Sequence, residues 1–273
     1  ITWENLIVQN EPLQQTAEQD TEHLFTIIYT SGTTGNPKGV MHTVSTITNS
    51  THNSLKFISI KEHPKYFSFL PLAHIAERGI TEMGSMFRGG SMTFAESLET
   101  FASNLEATQP DVFFAVPRIW AKFQEKILMG LPQKKLSKLL RLPIVGGIVK
   151  KKIKKKLGLS NAAYIVSGAA PISVSLLEWF NKLGITILQG YGMTEDCIVS
   201  HFNLPDANKF GTVGKPVYGA TAKLSAEGEI CIKNNCLMKG YYKNPEATAE
   251  MFDEQGYLKT GDIGEYDHDG YLT

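Results

Sequence analysis

The chain predicts an α/β fold, a parallel sheet flanked by helices and followed by a smaller β-rich subdomain. Three observations carry this prediction. Short apolar, β-branched runs alternate with longer amphipathic stretches from residue 24 to about 190. After about residue 212 that alternation gives way to short strands and turn-rich pieces. The length, 273 residues, allows one large domain or two small ones. Residues 24–30 (L-F-T-I-I-Y-T) read as a buried strand, and 40–58 as a mostly helical stretch. A strand at 66–70, a helix at 74–88 and a strand at 91–94 come next. Helix 97–108 precedes strand 112–116, and Pro117 opens another helix, since proline suits the first helical position. Strand 162–166, helix 173–183 and strand 185–188 complete the alternation. Beyond it, short strands at 222–224 and 229–233 are separated by turns such as A-E-G-E.

Composition excludes several classes. Hydrophobic residues make up 42% and charged residues 20%, as in a soluble globular protein. Lys plus Arg and Asp plus Glu are 27 each, so net charge gives no reason to expect a nucleic-acid partner. No apolar run approaches the ~18 residues of a membrane span. The three cysteines, Cys197, Cys231 and Cys236, form no C-x-x-C pair and fit a reducing, cytoplasmic setting rather than a disulfide scaffold. No histidine pair lies near them at zinc-ligand spacing.

The most informative stretch is residues 29–40, Y-T-S-G-T-T-G-N-P-K-G-V. A buried strand opens here into a loop rich in glycine and hydroxyls, with Lys38 behind them. Glycines let backbone N–H groups approach a ligand, hydroxyls donate hydrogen bonds, and lysine adds a point charge, a combination suited to polyphosphate. The common P-loop, G-x-x-x-x-G-K-[ST], does not match: counted from Gly32, Pro37 stands at the second glycine and Gly39 at the hydroxyl. A metal-binding hydroxyl would come from Ser31, Thr33 or Thr34 instead.

Four further motifs follow in order: P-L-A-H-I-A-E-R at 71–78, S-G-A-A-P-I at 167–172, G-Y-G-M-T-E at 190–195 and K-T-G-D at 259–262. Together the five motifs resemble those of the AMP-forming acyl-CoA synthetases of the adenylate-forming superfamily. V-P-R-I-W at 116–120 and the 71–78 motif are most similar to the long-chain fatty-acid members. The resemblance implies ATP-dependent activation of a carboxylic acid as an acyl-adenylate, then transfer to coenzyme A. It also implies site roles. Thr30, Ser31, Gly32, Thr33, Thr34, Gly35 and Lys38 would hold the β- and γ-phosphates. Glu195 would bind Mg²⁺, with Thr33 as a second ligand, and Thr194 would donate to the α-phosphate. Tyr191, between Gly190 and Gly192, would lie on adenine, with Gly168, Ala169 and Ala170 as the opposite wall. Asp262 would accept from both ribose hydroxyls. His74 would orient the acyl carboxylate, or else be a satisfied interior histidine. Arg118 and Trp120 read as structural, and Glu77 and Arg78 as residues that pair with neighbours.

The resemblance divides the chain into 1–23, a linker or remnant of a preceding region; 24–211, an α/β ATP-binding subdomain; and 212–273, a β-rich subdomain ending before the hinge. The family's C-terminal domain, with its lysine for the acyl carboxylate, is expected to be missing. The chain by itself is then expected to bind ATP weakly and turn over poorly. Two other readings stay open: an adenylating ligase for aryl or amino acids, and a nucleotide-binding module without chemistry.

Residues 134–156 carry ten of the 27 basic residues and no acid, interleaved with apolar positions such as Leu136, Ile144 and Ile148. They read either as a basic amphipathic surface in peripheral contact with anionic lipid or as a solvated helix pair with its apolar residues on the core.

Overall fold

A computed structural model of the chain describes residues 2–11, 14–15, 18, 20–30 and 36–273. After helix α1 (Trp3–Gln9), strand β1 (Leu24–Thr30) pairs antiparallel with β2 (Lys38–Thr43). The sequence predicted a mostly helical stretch over 40–58, and its first residues differ. The chain instead stays extended to Thr43, whose hydroxyl accepts from Thr46 N–H and so caps helix α2 (Val44–Phe57). The register of β1 on β2, Tyr29 opposite Gly39 and Thr30 opposite Lys38, overrides local propensity there.

The main sheet begins with β3 (Lys65–Ser68), which is followed by a π-helix (Glu77–Met83), the short helix α3 (Gly84–Phe87) and β4 (Ser91–Phe94). About half of the predicted helix over 74–88 is thus a π-helix, a form that concentrates at functional sites. Helix α4 (Phe101–Thr108), β5 (Val112–Ala115), α5 (Pro117–Gly130), α6 (Gln133–Leu140), α7 (Pro143–Lys156), β6 (Tyr164–Ser167) and α8 (Val174–Lys182) follow. Then come β7 (Leu188–Tyr191), β8 (His201–Phe202), β9 (Lys215–Pro216), β10 (Thr221–Leu224), β11 (Glu229–Lys233), β12 (Gly240–Tyr241), α9 (Pro245–Glu250) and β13 (Leu258–Ile263).

The seven-stranded sheet has the order β4-β3-β5-β6-β7-β8-β9. Its first five strands are parallel, but β8 and β9 are antiparallel, so the sheet is mixed rather than wholly parallel. The reason is local: only a short connection separates β7 from β8, and a parallel return needs a crossover of a dozen or more residues. The chain after residue 212 supplies β9 to this sheet, β12 to a sheet with β1 and β2, and the separate sheet β10-β11-β13.

Period-2 alternation sorts the side chains of the main sheet. Phe67, Phe113, Ala115 and Ile165 point to one face, where Leu105, Trp120, Phe123, Leu177 and Phe180 from the helices close the largest core cluster. Trp120 is fully buried, meets Phe113 and Phe180 edge-to-face at 5.5 Å each, and donates through Nε1 to Ala115 O at 3.1 Å. This is the structural role expected for it. Tyr66, Val112, Tyr164 and Val166 point to the other face, towards α2 and the π-helix, where the layers stand apart.

Candidate functional site

Strand direction explains why distant motifs meet. Strands β3, β6 and β7 share one direction, so the segments leaving them come off the same carboxyl edge of the sheet. These are the 71–78 motif with His74, Gly168 with Ala169, and Gly192 to Glu195. The β1-β2-β12 sheet brings Lys38 and Tyr241 to the same place. Between them lies a cavity of about 840 Å³. Its polar end is lined by Thr30, Lys38, Thr194, Glu195, Lys259 and Thr260, and its apolar limb by Phe57, Ile80, Val112, Phe114 and Val166 among others.

Glu195 sits in a 3-10 turn (Thr194–Asp196) directly after β7 and is buried. Tyr241 Oη donates to Glu195 Oε1 at 2.7 Å, and Lys38 Nζ stands 5.1 Å from the Tyr241 ring centroid, within cation–π range. Burial, reinforced by the Glu195 bond, pushes the Tyr241 phenol well above its usual pKa, so it stays a donor. Lys38, Tyr241 and Glu195 thus form one cluster.

The turn is held from behind by buried groups. His42 Nε2 lies 2.8 Å from Thr194 O, and a carbonyl can only accept, so Nε2 carries the proton. His42 Nδ1 faces Cys197 Sγ at 3.2 Å. Burial lowers the His42 pKa to about 4, the Thr194 bond opposing it, which keeps the ring neutral. Asp196 accepts from Met193 N–H at 2.9 Å through Oδ1, while its Oδ2 is buried without a partner. Burial raises the Asp196 pKa to about 7. Cys197 and Ile198 then adopt φ of +53° and +58°, a costly conformation for a β-branched residue. A Cβ on Gly192 would sit 2.5 Å from Ile198 Cα, so only glycine leaves room for this double left-handed bend.

Opposite this cluster, Tyr191 Oη donates to Asp262 Oδ2 at 2.6 Å. Tyr191 lines the cavity; Asp262 is exposed on β13 and reaches it through Tyr191. Gly261, at φ +77°, donates its N–H to Glu229 Oε1 at 2.8 Å, fixing the approach of that strand.

Of the residues expected from the sequence, Thr30, Lys38, His74, Gly168, Ala169, Gly190, Tyr191, Gly192, Thr194 and Glu195 line the one cavity. Asp262 joins through its bond to Tyr191, and Ala170 does not line it. His74 is exposed at the rim, not an interior histidine. Arg78 pairs with Glu82 at 3.2 Å, as expected of a neighbour pair, whereas Glu77 is buried with Oε1 unpartnered. Ser31, Gly32, Thr33, Thr34 and Gly35 lie outside the described residues. Sequence reasoning missed Tyr241, His42 and Glu229. Tyr241 had a signal, G-Y-Y-K-N-P at 240–245, with an aromatic after a glycine; His42 and Glu229 had none beyond strand periodicity.

The AMP-binding enzyme family matches residues 2–242. The chain is 33% identical over 285 residues to the long-chain-fatty-acid–CoA ligase ACSBG2 of Xenopus laevis, covering 90% of this chain and 38% of that protein. It is 34% identical over 294 residues to long chain acyl-CoA synthetase 3 of Arabidopsis thaliana, covering 90% and 43%. In structure it resembles the inhibitor-bound N-terminal domain of FACL13 from Mycobacterium tuberculosis, with a TM-score of 0.76 and 26% identity, over 98% of this chain and 64% of that one. The chain belongs to the AMP-binding enzyme family. It spans less than half the length of the two curated relatives named.

Proposed function

We propose that the protein serves ATP-dependent activation of a carboxylic acid through an acyl-adenylate, with transfer of the acyl group to coenzyme A, and that its acid is a long-chain fatty acid. One observation carries this reading: a single cavity presents Lys38 and Glu195 at one end and an apolar limb at the other. A carboxylate and a polyphosphate repel, so a catalyst that joins them must offset charge and fix position. Lys38, which lines the cavity, would meet phosphate oxygens, and Thr194 would donate to the phosphate that is attacked. Tyr191, between Gly190 and Gly192, offers its ring to adenine, with Gly168 and Ala169 opposite. The ribose hydroxyls would meet Asp262 at Oδ1, since Oδ2 already accepts from Tyr191. His74 at the rim would orient the incoming carboxylate. The apolar limb suits an alkyl chain, and the names of the relatives agree with that.

Mg²⁺ fits the donor set. Glu195 keeps Oε2 for an ion while Oε1 is held by Tyr241, and Mg²⁺ commonly takes one or two carboxylates and completes its shell with phosphate and water. When bound, it would neutralise phosphate charge. Its second expected protein ligand is Thr33. Three free, buried cysteines fit a reducing, cytoplasmic compartment.

Calorimetric titration of the chain with AMP and with non-hydrolysable acyl-adenylate mimics tests the reading. A long-chain acyl mimic is expected to bind at least about 100-fold tighter than AMP, because it fills both limbs. Tighter binding of an aryl or aminoacyl mimic would replace the fatty acid with that substrate class. Equal affinity for AMP and every mimic would leave a nucleotide-binding module.

A further inference from the structure

Helices α6 and α7 divide the apolar residues of the basic segment between two environments. Leu136 is buried, and Leu140, Val149 and Ile153 pack against the main core. Leu142, Ile144, Val145 and Ile148 do not: Ile144 is 81% exposed and Ile148 62%. On an α-helix, positions 144, 148, 151 and 155 fall on one stripe. The stripe therefore starts with two exposed isoleucines and ends with Lys151 and Lys155, both exposed; Lys152 lies beside them. No Asp or Glu occurs in the sequence between Glu125 and Glu178. From outside the segment, Glu106 pairs with Lys156 at 3.2 Å.

One end of the stripe has a defined place in the fold. The C-terminal end of α7 is held beside the residues that precede β5: Gln109 Nε2 donates to Lys155 O at 2.8 Å. That is the amino edge of the sheet. Fourteen helical residues span about 20 Å, so Leu142 and Ile144 stand well away from this anchored end.

We propose that the exposed face of α6–α7 docks on an anionic lipid bilayer, with Leu142, Ile144 and Ile148 entering the headgroup region and the flanking lysines meeting lipid phosphates and carboxylates. Burying exposed aliphatic side chains drives insertion, and an uncompensated basic surface supplies charge complementarity to anionic headgroups; an acidic polypeptide would match the charge but would not need the exposed isoleucines. The surface stands on its own geometry and does not depend on which acid the cavity takes.

Co-sedimentation of the chain with phosphatidylcholine vesicles, with and without about 30 mol% phosphatidylserine, tests it. Binding is expected only with phosphatidylserine, and it should fall as salt rises. Each of Lys151→Gln, Lys152→Gln and Lys155→Gln should weaken it about fivefold. Ile144→Ser with Ile148→Ser should weaken it at least about tenfold, with circular dichroism unchanged because both side chains are exposed. Equal binding to both vesicles, or to neither, overturns the proposal. So does undiminished binding by the isoleucine variant together with full competition by polyglutamate, which would identify the partner as an acidic polypeptide.

Discussion

Tyr241 is the residue that ties Lys38 to Glu195 in the proposed phosphate site. Its hydroxyl donates to Glu195 and its ring lies below Lys38. Removing the hydroxyl leaves Glu195 Oε1 without that donor in a buried setting, a loss of about 1–3 kcal/mol. Tyr241→Phe keeps the ring, so the Lys38 contact should survive. The expected outcome is a fall in melting temperature and roughly 10-fold weaker binding of ATP in the presence of Mg²⁺, with AMP binding much less affected. Unchanged ATP affinity would show that Glu195 needs no such restraint.

At the scale of the element, the segment from Gly192 to Ile198 is the least ordinary piece of backbone among the described residues. It joins β7 to β8 through a 3-10 turn and two successive left-handed residues. Such strain persists only where surroundings over-determine it. Here His42 bonds Thr194 O, Met238 N–H donates to Glu195 O at 2.7 Å, and Ser50 donates to Cys197 O at 3.2 Å. Gly192→Ala would drive a Cβ into Ile198 backbone, so the turn must move. We expect a destabilisation of about 1–3 kcal/mol in urea unfolding and a loss of nucleotide binding larger than that destabilisation explains. A variant that keeps full affinity would place the turn outside the nucleotide site.

For the whole molecule, the buried titrating groups make stability depend on pH in opposed directions. Asp196 has an ordinary pKa of 3.8 and is raised to about 7 in the fold. Between those values the folded state holds a proton that the unfolded state has lost, so this group's contribution falls as pH rises through the window. Glu77, also raised by burial, acts in the same sense. His42 and His201 are lowered from 6.5 to about 4, so their contribution rises over that interval. Asp196→Asn keeps the Oδ1 acceptor for Met193 and removes one side of this balance. Relative to wild type, the variant should gain stability from pH 4 to pH 7, by a few kcal/mol at about 1.4 kcal/mol per pKa unit, as read by chemical denaturation at pH 5 and pH 8. A pH-independent difference would mean that Asp196 is ionised in the folded protein.

Much of this molecule could be read without coordinates, and the limits fall at particular places. Strands 24–30, 91–94 and 229–233 match their sequence boundaries because each is an unbroken β-favouring run bounded by turn residues. The stretch 40–58 is mostly helical, as read, but its first residues stay in β2 because pairing with β1, a tertiary contact, outweighs local preference there. The exposure of Ile144 and Ile148 could not be separated from core packing, since both readings share one periodicity.

By itself, the sequence determined the α/β class, the family, and the identity of the charged and small residues around the cavity, because residue chemistry and short-range spacing are local properties. Only the tertiary structure decided that Tyr241 bridges Lys38 to Glu195, that Tyr191 and Asp262 share a proton donor and acceptor, and that part of α7 faces outward. Those facts depend on which strands are neighbours, and strand order is set by crossovers that leave no mark on the residues they bring together.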